Sequence, residues 1–122
     1  MTYEPVSFRE KFGKFSERFQ PKVIAQMNDY QFKLARVEGE FVWHSHADTD
    51  ELFLVLKGEL TMYFRDRTEV LKPGEFIVVP RGTEHKPAAT GECQMMVMDA
   101  EGTSNTGDVT DANLTRETLE KI

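Results

Sequence analysis

An all-β barrel or sandwich, preceded by a short helix, is the fold class that this 122-residue sequence predicts. Three observations lead there. Short runs rich in β-branched and aromatic residues recur between about Lys22 and Ala100. Glycine, proline or charged clusters break those runs at regular short intervals, which is the pattern of sandwiches and barrels. Phenylalanines repeat at helical spacing only near the start of the chain.

Each element follows from its local pattern. Phe8, Phe12, Phe15 and Phe19 line one face of a helix expected over Ser7 to Phe19, with Ser7 and Glu10 in capping-box relation, Gly13 weakening the interior and Pro21 supplying a stop. That aromatic face is expected to pack against the barrel or a partner subunit. Strands are expected at Phe32 to Val37, Phe41 to His46, Leu52 to Leu56, Leu60 to Phe64, Phe76 to Val79 and Gln94 to Met98. Breaks fall at Glu38-Gly39, Lys57-Gly58, Arg65-Asp66-Arg67, Lys72-Pro73-Gly74, Pro80-Arg81-Gly82 and Thr90-Gly91. The runs Leu52 to Leu56 and Met95 to Met98 are apolar on both parities, so both their faces should be covered. The N-terminal helix and a second copy of the chain are the available covers, and a homodimer is expected. After Ala100 the chain turns polar, which predicts an ordered lid or edge strand, and Thr115 to Ile122 has the composition for one or two helical turns before a frayed end. The resulting plan is one domain, with a helical arm over about 5–22, a barrel core over about 28–100 and a tail over 101–122.

Composition narrows the function. Acidic residues outnumber basic ones by 21 to 15, for a formal charge of −6, and no basic block could track a phosphate backbone, so nucleic acid is a poor partner. No apolar run approaches the roughly 18 residues needed to span a bilayer, and no signal-type stretch opens the chain, so no membrane role and a cytoplasmic location are expected. Cys93 is the one cysteine, which excludes an intramolecular disulfide and a thiolate cluster.

The chemistry concentrates in four residues. Two of the three histidines, His44 and His46, sit two apart in an expected strand, so their imidazoles share one face. Glu51 opens the next strand after the polar turn Ala47 to Asp50, and His85 follows the turn signal Pro80-Arg81-Gly82. A lone histidine is most often a surface or satisfied core residue, but a buried carboxylate at the head of an apolar strand is expensive unless paired or bound to metal. Imidazole nitrogens with a carboxylate oxygen and no sulfur suit one divalent transition ion, Fe, Mn, Ni, Zn, Co or Cu, and disfavour Mg and Ca. Counting parity along the same strands, Val42, Phe53 and Val55 should line an apolar pocket beside the ion, with Tyr63 a further candidate. Trp43 and Phe41 fall on the opposite parity and should face the other layer or a partner. The orientations of Lys33, Arg36 and Gln94 stay open, a solvated or structural role outweighing catalysis for each. Asp48 and Asp50 suit turn capping, and Asp50 could also orient a ligand histidine.

Taken together, the motifs resemble those of the cupin superfamily. Its first motif is matched by Gly39, His44, His46, Glu51 and Gly58, with four residues between Gly39 and His44 where five are usual. Its second is matched by Gly74, Pro80, Gly82 and His85, with Ala89 where an asparagine often stands. The resemblance implies a double-stranded β-helix, or jelly-roll, with a metal site of His44, His46, Glu51 and His85 in its mouth, often in a dimer. An octahedral ion held this way would keep two positions open for a small-molecule substrate or ligand. A dioxygenase, a sugar or keto-acid isomerase or lyase, and a non-catalytic ligand-binding protein all remain compatible with that site.

Overall fold

The computed structural model describes residues 3–116 and 118–122. Its elements run α1 (Phe8–Phe12), β1 (Lys22–Met27), β2 (Tyr30–Glu40), β3 (Glu51–Lys57), β4 (Leu60–Phe64), β5 (Thr68–Leu71), β6 (Phe76–Val79), β7 (His85–Ala100) and β8 (Glu120–Lys121). The eight strands belong to one sheet that folds back on itself. No helix among the described residues is long and apolar enough to cross a membrane.

β7 is the spine. It pairs with β2 from Tyr30–Ala100 to Glu40–Ala88, while its other edge is divided between β3, along Gln94–Met98, and β4, along His85–Ala88. A strand that changes partner midway must bend, and the register slips between Val37 and Gly39 where β7 passes through Gly91. The segment Thr90-Gly91, a turn by its sequence, is therefore the bend inside one 16-residue strand. β6 adds to β3 and β5 to β4, so two layers face each other. Alternate residues of four strands fill the space between them: Ala35 and Val37, Phe53 and Val55, Leu60 and Met62, Cys93, Met95 and Val97, with Leu71 of β5 and Val79 of β6 at the margins. β1 and β5 were not expected from the sequence, because Lys22–Met27 and Thr68–Leu71 carry half-polar patterns typical of strands at a sheet margin.

The N-terminal helix is shorter than its phenylalanine spacing predicts. Ser7 caps it, its Oγ accepting from the Glu10 amide at 3.1 Å, but the helix ends at Phe12. The Arg36 guanidinium explains the stop: it donates to the carbonyls of Phe12 (2.8 Å) and Phe15 (3.0 Å), groups that a continuing helix would use internally. Phe12 and Phe15 stack at 5.6 Å and bury Leu34, Leu56 and Met96, so the arm covers part of the outer face of β2, β3 and β7 as expected. Phe8 stays on the surface. Phe19 leaves the helical face altogether and turns into the barrel mouth with φ 59°, a conformation bulky residues seldom adopt.

At the other end, the described residues of Thr115 to Ile122 form no helical turn. β8 lies parallel to β1, and the Ile122 amide donates to the Val23 carbonyl at 2.9 Å, so the tail ends as a paired edge strand where a frayed end was expected.

Gly58, between β3 and β4, has φ 81°, and a Cβ there would lie 2.5 Å from the Glu92 carbonyl oxygen on the bend of β7. Gly58→Ala should therefore destabilise the protein by about 2 kcal/mol or more, read as a lower urea midpoint. The Cys93 thiol is enclosed by the core, and burial pushes its pKa up to about 11. It should resist a thiol reagent at pH 8 in native protein and react at once in unfolded protein.

Candidate metal centre

His44 and His85 are locked face to face by the backbone. Each amide donates to the other's carbonyl, at 3.0 and 2.9 Å, in an isolated antiparallel bridge. Their rings sit 4.3 Å apart between centroids. His46 follows two residues on, with its ring 5.0 Å from that of His44 and 5.7 Å from that of His85. Glu51 enters from the first position of β3, on the same inward row as Phe53 and Val55. One donor atom from each of these four buried residues lies within 4.8 Å of every other. The expected strand Phe41 to His46 is reduced to the bridge at His44, yet that bridge with its partner suffices to gather the set.

The backbone also sets the tautomers. Nδ1 of His44 donates to the Val42 carbonyl and Nδ1 of His85 to that of Thr83, both at 2.9 Å, which leaves each Nε2 with a free lone pair. His46 Nε2 and His85 Nε2 stand 3.1 and 3.3 Å from Glu51 Oε1. All three of these atoms are buried and lack an aligned hydrogen-bond partner among the described residues. Orphaned buried polar atoms are rare because each costs desolvation free energy, and three around one point fit a cation that is coordinated by all of them. The donor set therefore fits a divalent transition ion.

Electrostatics agree with that chemistry. Burial, reinforced by His85, holds the His44 imidazole down at about 4, so it is neutral near pH 7 as a ligand must be. Burial alone would also lower His46, but Glu51 outweighs it and raises that pKa. Glu51 would be raised by burial; the His46 and His85 rings standing beside it pull it well below the usual carboxylate range instead. Asp99 is pushed up to about 7 by burial and then by the neighbouring Glu51.

Beside the centre lies a cavity of about 50 Å³ whose walls include Phe41, His44, Glu51, Phe53, Val97, Lys33 and Asp99, with Phe19 and Asn105 also lining it. Of the pocket residues expected from parity, Phe53 lines it. Val42 does not; its carbonyl orients His44. Val55 lies deeper in the core, and Tyr63 lies outside under the Lys86 ammonium, 5.1 Å from its ring. Phe41, expected to face away, stacks on Phe19 at 5.4 Å and meets the His44 ring edge-on. Parity failed there because residues 41–43 are not in a strand. Trp43 is half-buried, with the Arg65 guanidinium over its ring at 3.8 Å. Asp50 holds no histidine and accepts from the Arg81 amide and Nε, at 2.9 and 3.3 Å. Arg36 is structural, whereas Lys33 is buried in the pocket against Asp99. Asp99 drew no notice in the sequence, although it shares parity with Met95 and Val97 and so marks a charge on an inward row.

A β-barrel with three imidazoles and one carboxylate converging inside it defines the class. The chain belongs to the cupin domain family, whose model matches residues 32–101. Among solved structures, a cupin-2 domain containing protein from Shewanella frigidimarina is 53% identical, covering 79% of this chain and 94% of that one with a TM-score of 0.78. Protein NMB1881 from Neisseria meningitidis shares the fold at 24% identity, over 80% of this chain and 100% of the other, with a TM-score of 0.74. The uncharacterized protein YdbB of Bacillus subtilis is 43% identical over 79 residues, which is 64% of each chain. Germin-like protein subfamily 1 member 5 of Arabidopsis thaliana is 30% identical over 100 residues, 72% of this chain and 45% of its own length. The match thus spans less than two thirds of either of these curated relatives.

The loop carrying His44 and His46 is tied to the tail: the Ser45 amide donates to Asp108 Oδ1 at 2.8 Å and the Asp108 amide to the Ser45 carbonyl at 3.0 Å. Gly107 permits this approach, since a Cβ there would lie 2.2 Å from the Ser45 carbonyl oxygen. Gly107→Ala should release the tail, seen as faster hydrogen exchange at the Ser45 and Asp108 amides with β7 protection retained.

Proposed function

We propose that the chain binds one divalent transition ion through Nε2 of His44, His46 and His85 and Oε1 of Glu51, and acts there on a small molecule by proton transfer, as an isomerase or lyase does. The observation that carries the metal reading is the set of three buried, partnerless donor atoms aimed at a shared point. When bound, the ion would polarise a carbonyl or hydroxyl oxygen of the substrate. The proton-transfer reading rests on Asp99, which lines the same cavity and is not one of the four ligands. In this scheme Asp99 takes a proton from a carbon next to the polarised carbonyl and returns it to a neighbouring atom, so no oxidant is consumed. The mostly apolar walls keep water from competing for that proton.

The same reading includes a homodimer. Phe76 and Val78 on β6 are exposed beside half-buried Leu52 and Leu54 on β3, an apolar strip that the N-terminal arm leaves uncovered. A second copy of the chain is the cover it fits.

Elemental analysis of purified protein should give close to one ion per chain. His44→Ala should cut that to a tenth or less while the far-ultraviolet circular dichroism is kept; an unchanged metal content would overturn the ligand set. Added metal at about a thousand times its Kd should stabilise the wild-type protein by about 4 kcal/mol and leave the variant unmoved. In deuterated water, a panel of keto acids and sugars should include one whose carbon-bound proton exchanges, about a hundredfold more slowly with Asp99→Asn. Substrate-driven oxygen uptake would indicate a dioxygenase instead, and tight binding without exchange or uptake a binding protein. Val78→Glu should shift the sedimentation coefficient from that of a dimer to that of a monomer.

A further inference from the structure

Two lysines are buried in this protein, and they are treated differently. Lys22 meets two carboxylates, Glu17 at 3.3 Å and Glu120 at 2.8 Å, and stitches β1 to β8. Lys33 is 3% exposed and sits in the cavity beside the metal centre. Among the described residues its Nζ has one hydrogen-bond partner, Asp99 Oδ1 at 2.5 Å. An ammonium carries three donors, so two are left for a ligand.

The sheet register explains the placement. Lys33 is paired with Val97 and Gln31 with Asp99, so Lys33 reaches Asp99 diagonally across β2 and β7 on the inward face. Beside the pair that face carries apolar Ala35, Val37, Met95 and Val97, with buried Gln31 opposite Asp99 and the Glu51 carboxylate on the same cavity. A buried ion pair in such a setting seldom stabilises a fold more than apolar side chains of similar size would. Holding a fixed positive charge against the wall of a binding cavity gives it another role.

We propose that Lys33 is the anion-recognition residue of this pocket, and that the ligand it selects is a small 2-oxo or 2-hydroxy carboxylate. The inference rests on the metal-centre reading above. A divalent ion with Glu51 leaves one positive charge, and the Lys33–Asp99 pair adds none, so the cavity is matched to a monoanion. The ligand's carbonyl or hydroxyl oxygen faces the ion, and its carboxylate accepts from the spare Lys33 donors. The cavity, about 50 Å³, restricts the ligand to a small molecule of a few heavy atoms.

The test compares pyruvate with its neutral analogue pyruvamide by calorimetric titration of metal-loaded protein, with metal content measured first. Wild-type protein should prefer pyruvate at least about tenfold. Lys33→Met combined with Asp99→Leu should bind both compounds equally with its metal content intact, and Lys33→Arg should keep the preference. If the double variant does not fold, Lys33→Gln is read in its place and should lose the preference. A preference that survives loss of Lys33, or a wild-type protein that shows none while holding metal, overturns the role of Lys33 and leaves the metal centre standing. Wild-type protein that takes up no metal overturns the centre, and this proposal with it.

Discussion

A carboxylate enclosed by three imidazoles away from water is the constraint around which this barrel is organised. Removing an ion from water costs several kcal/mol even after relaxation, and the cost is tolerable only if opposite charge or aligned donors meet it. Among the described residues, Glu51 has neither an aligned donor nor a lysine or arginine at its Oε1, only the Nε2 atoms of His46 and His85. The fold spends its most specific geometry on that spot: a reciprocal backbone bridge between His44 and His85, two carbonyls that orient their rings, and the first residue of a strand to deliver the carboxylate.

Strand β7 shows how the rest of the architecture serves the same region. His85 begins it and Asp99 lies one residue from its end. Fourteen residues of straight strand would separate the two by about 46 Å. Yet Glu51 touches His85 at 3.3 Å and lines one cavity with Asp99. The bend at Gly91 and the change of partner from β4 to β3 wrap the strand around the pocket, so one element brings His85 to one side of it and Asp99 to the other.

Much of this was legible in the sequence, for identifiable reasons. Counting parity from Glu51 places Phe53 and Val55 on its inward row, and the segments that carry His44, His46, Glu51 and His85 are bounded by turns visible in the sequence, Glu38-Gly39, Ala47 to Asp50 and Pro80-Arg81-Gly82. What stayed hidden depended on partners distant in the chain. Arg36 ends the helix by taking carbonyls 21 and 24 residues away, and no local pattern around Phe15 announces it. Phe41 enters the pocket because its segment leaves the strand conformation, which breaks the two-residue period on which parity depends. The orientation of Lys33 stayed open and Asp99 drew no notice, because their burial is a property of the pair.

The knot between Ser45 and Asp108 carries a consequence for biosynthesis. A ribosome releases the histidine loop first and the residue that clasps it 63 positions later, an interval of several seconds at about 5–20 residues per second. Until then the loop waits without its fastener, and His85, the spine and the clasp arrive in that order. Until Asp108 has been made, the histidine loop lacks the two hydrogen bonds that tie it to the tail.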